Sequence, residues 1–230
     1  MIPLKDMTPR RSVPVMTLLL IAVNIVVFVH QILLPQAAGD TFIHTYGLVP
    51  WKIALALQGR RYTLEQAFLP FLTCMFLHGG ILHILGNMWF LWIFGANVED
   101  RMGSLPYLIF YLICGIGSGI SEVAFSWGSH VPSIGASGAI SGVLGAYIVF
   151  FPGSKILTLI PLFIIWFTAR IPALVFIGLW FIMQFLSGVG ALGTVNAGGV
   201  AWWAHVGGFL LGVLLAKLML RANRPSYYAA

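Results

Sequence analysis

A serine, a distant histidine and a histidine–asparagine pair are the residues of this chain best suited to chemistry. Ser137 lies in the stretch PSIGASGAISGVLGAYIVF, between small residues at the start of an apolar segment. His205 lies near the start of another apolar segment, AWWAHVGGFLLG. A serine activated by a histidine base is a nucleophile for acyl transfer. At the first turn of a helix it also lies at the positive end of the helix dipole, which favours a developing negative charge.

A third group of polar residues lies in FLHGGILHILGN. His83 and Asn87 are four residues apart, so they share one face of a helix. Imidazole and amide donors aimed at one point are what the oxyanion of an acyl transfer needs. We expect His78, about one turn earlier, to lie at the entrance and to support the same group. Polar residues on three separate segments at one depth predict a joint site.

Small residues could bring these segments together. Gly135 leaves room for a backbone to approach closely, and Gly208 and Gly212 form a G-xxx-G pair that allows close helix contact. Small residues also recur on one face of the segment after Ser137: Gly138, Ser141, Gly142 and Gly145. If the two faces meet, Ser137 and His205 come together. Taken singly, each small residue also fits plain helix packing, and His205 also fits a helix–helix hydrogen bond.

The composition places these residues in a membrane protein. Of the 230 residues, 60% are hydrophobic and 8% are charged, whereas soluble domains carry roughly 25% charge. Apolar blocks of about 20 residues span a bilayer, so we predict an all-α membrane protein with six transmembrane helices in one polytopic domain, residues 1–230. The predicted spans are Val13–Leu34, Ile81–Val98, Leu105–Trp127, Gly135–Phe151, Arg170–Ser187 and Ala201–Leu220. The first is too long for a secretory signal and lacks a cleavage pattern, so we expect it to be retained.

The basic residues predict the orientation, because cytoplasmic loops carry an excess of Lys and Arg. With the N-terminus inside, three of the 12 lie outside, namely Lys52, Arg60 and Arg61. The other nine lie inside: Lys5, Arg10, Arg11, Arg101, Lys155, Arg170, Lys217, Arg221 and Arg224. Both termini are therefore predicted to be cytoplasmic. Topology also explains the net charge of +6 better than a nucleic-acid surface does, so the predicted partner is the lipid bilayer and not nucleic acid.

The connections between spans also carry predictions. The first outer connection, Pro35–Leu77, is rich in apolar residues, and we expect it to lie partly in the outer leaflet as short amphipathic pieces. We place Lys155–Phe167 in the interface rather than across the membrane. The uncharged loop Gly188–Gly199 is either a mobile gate or a simple linker. Together with the fifth span it is our predicted lateral entrance, in which Trp180, Phe181 and Phe185 form a bulky wall or face lipid.

Structural roles are the simpler interpretation of several other candidate residues. Glu122 is expected to reach the outer interface, and no acidic residue is placed against His205, so a Ser–His dyad is predicted. Cys74 and Cys114 fit apolar packing. A metal site of His78, His83 and His205 would lack a carboxylate or thiolate ligand, so we predict no metal and no cofactor.

Four motifs, GASG, AHVGGFLLG, HGGILHILGN and GANVEDRMG, together resemble the rhomboid family of intramembrane serine proteases over nearly the whole chain. The resemblance implies a six-helix bundle whose short central helix carries the nucleophile. It also implies that Ser137 is the nucleophile and His205 the base. The oxyanion hole would comprise His83, Asn87 and the backbone N–H of Ser137. The family's E-xxx-G pattern falls on Glu99 and Gly103, where Glu99 is expected to have a structural role.

The implied activity is a serine endopeptidase that cuts transmembrane segments of membrane proteins near the outer face, in a prokaryotic cell membrane. Many rhomboids place an aromatic residue one turn after the serine, against the base. Here that residue is Ser141, which either bonds His205 or leaves a gap. The alternative function is a catalytically silent, rhomboid-like factor that binds or dislocates membrane proteins. A channel or transporter would predict paired repeats or broken helices, which the sequence lacks.

Overall fold

The computed structural model describes residues 1–162, 164–192 and 200–222, and most of them are helical. The helices are α1 Val15–Leu33, α2 Gln36–Tyr46, α3 Pro50–Leu57, α4 Leu64–Phe68, α5 Pro70–Thr73, α6 Ile81–Phe90, α7 Ala96–Met102, α8 Ser104–Phe125, α9 Ser137–Phe150, α10 Ala173–Gly190 and α11 Trp202–Ala222. The strands are β1 Ile2–Asp6, β2 Lys155–Leu162 and β3 Ile165–Pro172. Arg224, Phe163 and positions 193–199 of the predicted gate loop lie outside the described residues.

Within those residues, five helices are long and apolar enough to span a membrane. They are α1, the continuous helix from α6 to α7 at Ile81–Met102, α8, α10 and α11. A π-helical turn at Leu91–Gly95 joins α6 to α7. These helices match five of the six predicted spans and confirm the membrane bundle.

The fourth predicted span is α9, which has only 14 residues. At 1.5 Å per residue it is about 21 Å long, shorter than the roughly 30 Å apolar core of a bilayer. Ten consecutive residues, Gly138–Tyr147, are buried, because α9 is packed among α8, α10 and α11. A helix enclosed by protein does not need the length of a lipid-facing span, so this short central helix fits inside the bundle.

The small faces of α9 and α11 lie against each other. A Cβ atom on Gly208 would overlap the carbonyl oxygen of Gly138, and one on Gly212 would overlap that of Gly142. Any side chain larger than hydrogen at Gly208 or Gly212 would therefore push the two helices apart. Because of this contact, α9 and α11 lie side by side at the centre of the bundle.

The 155–172 connection is an antiparallel hairpin of β2 and β3, to which β1 adds a third strand. Ile2 is paired with Leu159, and Lys155 with Pro172. The sequence predicted an interfacial segment here and did not predict strands. The pairing places the N-terminal residues and the connection between α9 and α10 at the same end of the bundle. Asp6, which ends β1, also accepts a 2.6 Å hydrogen bond from the hydroxyl of Tyr147 in α9.

At the opposite end of α9, the first outer connection folds into the short helices α2 to α5. Leu48 forms an isolated antiparallel bridge with Ser133. The N–H of Gly135 donates to the carbonyl of Cys74 at 2.9 Å. These bonds fix the segment that leads into Ser137. Cys74 itself, like Cys114, is a buried free cysteine.

Glu99 connects α7 to the start of α1. Its carboxylate accepts the N–H groups of Met16 and Thr17 at 2.9 and 2.8 Å and the hydroxyl of Ser104 at 2.7 Å. The first N–H groups of a helix have no partner within the helix, so the carboxylate satisfies them. This is the structural role expected for Glu99.

Candidate active site

The side chains of Ser137 and His205 are in direct contact. Ser137 is the first residue of α9, and His205 lies in the first turn of α11. The Nε2 atom of His205 is 2.7 Å from the Oγ atom of Ser137, which is within hydrogen-bond distance for proton transfer. His205 is buried, with 7% of its surface exposed. The pair therefore has the geometry of a hydroxyl nucleophile and its general base.

The other ring nitrogen of His205 contacts a residue that the sequence analysis missed. Its Nδ1 atom lies 2.7 Å from the Oε1 atom of Gln184, which belongs to α10. Gln184 is buried, with 7% of its surface exposed. The available signal was a lone amide in the apolar run FIMQFLSG, because a polar residue in a membrane helix needs a partner on another helix. That signal does not name the partner.

Ser141 does not bond His205. Its hydroxyl donates to the backbone carbonyl of Ser137 at 2.6 Å, one turn earlier in α9. Of the two alternatives that the sequence left open, a hydrogen bond from Ser141 to His205 is therefore excluded. Aromatic rings still lie near the base, with the centroids of Trp180 and Trp202 at 6.0 and 6.3 Å from that of His205.

His83 and Asn87 lie on α6 and converge on the segment before Ser137. The N–H of Gly79 donates to Nδ1 of His83 at 3.3 Å, so Nε2 of the neutral ring carries the proton. A Cβ atom on Gly135 would lie 2.7 Å from that Nε2 and 3.5 Å from Nδ2 of Asn87. Asn87 is 8% exposed, and its Nδ2 donor has no partner within the described part of the chain.

Gly135 makes this approach possible. Its φ angle is +125°, a conformation that residues with a Cβ atom rarely adopt. The N-terminal turn of α9, which begins at Ser137, has no side-chain cap, so its first N–H groups have no partner within the helix. The arrangement offers two side-chain donors and a helix N-terminus beside one hydroxyl, which suits the stabilisation of an oxyanion.

His78 differs from its predicted position. It is fully buried and does not line an entrance. Its ring packs edge-on against His83, with the centroids 5.1 Å apart, while Gln31 binds both its backbone N–H and its carbonyl. Burial, and next the neighbouring His83 ring, lower the pKa of His78 to about 4, so His78 is neutral near pH 7. Its contact supports the His83 ring from behind.

The expectation that Glu122 reaches the outer interface is wrong. Glu122 is buried on α8, where its carboxylate accepts the N–H of Ala204 at 3.1 Å and the hydroxyl of Ser126 at 2.7 Å. The N–H of Ala204 belongs to the first turn of α11, which has free donors and a positive dipole end. Glu122 therefore caps the helix that carries His205, although it does not contact the imidazole.

A cavity of about 590 Å³ opens beside Ser137 and His205. Its walls come from α6, α9, α10 and α11 and from loop residues at 79, 132–134 and 200–201. Phe90, Ile140 and Leu144 make part of the lining apolar, whereas His83, Asn87 and Gln184 supply polar atoms. An apolar cavity with a few convergent polar groups is the usual form of a binding site.

Of the three residues predicted as the wall of the entrance, only Trp180 lines this cavity. Phe181 is stacked on Phe209 of α11 with centroids 4.4 Å apart. Phe185 is 43% exposed and lies edge-on to Trp203. Within the described residues, no group of three His, Cys, Asp or Glu side chains is arranged to hold a metal ion.

Comparison with known proteins gives a family match over most of the bundle. The Rhomboid domain family model matches residues 65–222. RHOMBOID-like protein 2 from Arabidopsis thaliana is 36% identical over 172 residues, which cover 75% of this chain and 48% of that protein. RHOMBOID-like protein 4 from the same plant is 34% identical over 156 residues, covering 68% of this chain and 34% of that protein.

A bacterial protein is also similar. Rhomboid protease GluP from Bacillus subtilis is 36% identical over 133 residues, which cover 58% of this chain and 24% of that protein. The chain thus spans about half or less of the length of these relatives.

Proposed function

The chain belongs to the rhomboid family, and from that premise we propose that it is an intramembrane serine endopeptidase. Its substrates are membrane proteins, which it cuts within a transmembrane segment near the outer face of the membrane. The single observation that carries the proposal is the 2.7 Å contact between Ser137 Oγ and His205 Nε2, located at the wall of a cavity within a membrane bundle.

In the proposed reaction, the Oγ atom of Ser137 attacks the scissile carbonyl while Nε2 of His205 takes the hydroxyl proton. The carbonyl oxygen becomes an oxyanion, which accepts hydrogen bonds from His83, Asn87 and the N–H of Ser137. The imidazolium then donates its proton to the leaving amine, and an acyl group stays on Ser137. Water, deprotonated by His205, attacks this ester and releases the second product.

Substrate access follows from the same arrangement. A helical substrate hides its carbonyl groups in backbone hydrogen bonds, and opening them in lipid leaves polar groups without partners. The cavity supplies polar side chains in place of those partners, between α6 and α10. We therefore propose lateral entry between these two helices, with a preference for substrates that carry small and helix-weakening residues near the cut.

The cellular setting stays a prediction. The relatives named above come from a plant and a bacterium, and they give no support to a prokaryotic cell membrane in particular. The cytoplasmic location of both termini is proposed from the distribution of basic residues alone. An integral, multi-pass location is supported by five apolar helices within the described residues.

The decisive experiment is labelling with a serine-directed fluorophosphonate in detergent. Wild type should be labelled, and Ser137→Ala and His205→Ala should not. Labelling that persists in Ser137→Ala would refute Ser137 as the nucleophile. A single-span reporter in proteoliposomes then distinguishes a protease from a catalytically silent binding factor, because only the protease yields two fragments, and only while Ser137 is present.

A further inference from the structure

The structure assigns Gln184 as the residue that holds the imidazole of His205 in the form needed to accept a proton from Ser137. This positioning role rests on the proposed function. It would extend the Ser–His dyad to a third side chain that is neutral and comes from a third helix, α10.

The argument begins with the two nitrogens of the ring. A neutral imidazole has one N–H donor and one acceptor nitrogen. To act as a base toward Ser137, the Nε2 atom of His205 must be the acceptor, so the proton must be on Nδ1. The Oε1 atom of Gln184, 2.7 Å from Nδ1, can only accept a hydrogen bond, and it therefore stabilises this tautomer.

The neighbouring polar groups are already occupied. The hydroxyl of Ser141 donates to the carbonyl of Ser137, and the carboxylate of Glu122 is bonded to Ala204 and Ser126. Neither group reaches Nδ1. The sequence left open which residue holds the imidazole of His205, because Ser141 stands where many rhomboids have an aromatic residue. Gln184 fills that role.

The chemistry of an amide suits this depth. Gln184 is buried in an apolar helix, where an unpaired polar group costs free energy. A carboxylate would hold the ring more strongly, but a charge within the membrane carries a larger cost. A neutral amide orients the ring without adding a charge.

The contact can be tested by a spectroscopic signature that is independent of catalysis. In protein labelled with ¹⁵N-histidine, nitrogen chemical shifts distinguish the Nδ1–H tautomer from the Nε2–H tautomer, and the loss of signals in His205→Ala assigns the residue. We expect wild type to hold His205 as Nδ1–H. A wild-type protein with His205 as Nε2–H would overturn the proposal, since Gln184 would then present its amide N–H₂ to the ring.

Activity is tested with three α10 variants. Gln184→Met removes the acceptor at similar volume, and Gln184→Glu keeps an oxygen at the same place. Met183→Leu is the control on the neighbouring residue, which is 57% exposed. Relative to wild type, Gln184→Met should slow fluorophosphonate labelling of Ser137 by at least about tenfold, part of the roughly 10²- to 10⁴-fold that general-base catalysis contributes. Gln184→Glu should recover most of the rate, and Met183→Leu should be unchanged.

Labelling of Gln184→Met at the wild-type rate would overturn the positioning role. Should Gln184→Met fail to fold, the wild-type tautomer and the rate of Gln184→Glu decide the question. A failure of the proposed function would give a different experimental result. If Ser137→Ala were still labelled, the Nδ1–H tautomer could persist, but the hydrogen bond would lose its catalytic meaning.

Discussion

Gly208 of α11 lies directly against the carbonyl oxygen of Gly138 in α9, with no room for a Cβ atom between them. Gly138 follows Ser137, and Gly208 comes three residues after His205. The contact is thus within one turn of both side chains of the candidate dyad. It fixes how far apart the two helices lie where the hydroxyl and the imidazole meet.

A methyl group at this contact should therefore impair the site. Gly208→Ala must displace α11 from α9, and a misplacement of about 1 Å can cost roughly 10²-fold in rate. We expect slower fluorophosphonate labelling of Ser137 and a lower Tm in detergent. Gly178→Ala is the matched control, because a Cβ atom on Gly178 meets nothing within 4 Å. Wild-type labelling of Gly208→Ala would show that this contact does not set the geometry of the dyad.

The contact between α9 and α11 could be predicted from sequence because its signal is local. Small residues four apart mark a face on a helix wherever that helix lies, and two such faces favour each other. His83 and Asn87 are likewise placed on one face by their spacing alone. Patterns within a single helix therefore indicated which side chains point toward the bundle centre.

The contacts of Gln184 and Glu122 could not be predicted from sequence, because no local pattern indicates their partners. Each is a single polar residue on an apolar helix, and its partner depends on how that helix is rotated and shifted against α11. The three-stranded sheet was missed because β1 lies some 150 residues before its partner β2. Non-local strand pairing leaves little trace in the local pattern, and Lys155–Phe167 read as a short apolar segment.

The donors on α6 should act on the transition state more than on binding. Loss of one oxyanion donor costs about 10²- to 10³-fold in kcat, so Asn87→Ala and His83→Ala should each lower kcat for a transmembrane reporter with little change in KM. Asn24→Ala provides the matched control, since Asn24 is buried on α1 and bonds the carbonyl of Leu20. A rise in KM with kcat unchanged would instead make these side chains substrate-binding residues.

Glu122 should matter through the helix that it caps. Glu122→Leu leaves the N–H of Ala204 without its acceptor, and a lost cap typically costs about 1 kcal/mol. We expect a lower Tm and a moderate loss of labelling. Glu122→Gln retains an oxygen acceptor and should stay close to wild type in both measurements. If Glu122→Gln lost as much activity as Glu122→Leu, the negative charge itself, rather than the hydrogen bond, would be the important feature.

Lateral entry between α6 and α10 predicts that restraining these helices blocks large substrates only. Phe90 of α6 and Phe176 of α10 have ring centroids 6.4 Å apart, so cysteines at these two positions can be joined by a short bifunctional reagent once Cys74 and Cys114 are replaced by alanine. The linked protein should cleave a transmembrane reporter roughly tenfold or more slowly, as expected when a gate is held closed. The small fluorophosphonate should still label it, because α10 then stays packed and Gln184 stays beside His205. The same protein without the linking reagent is the control for the substitutions themselves. Equal cleavage of the reporter before and after linking would exclude this gate, and a loss of labelling on linking would point to distortion of the dyad.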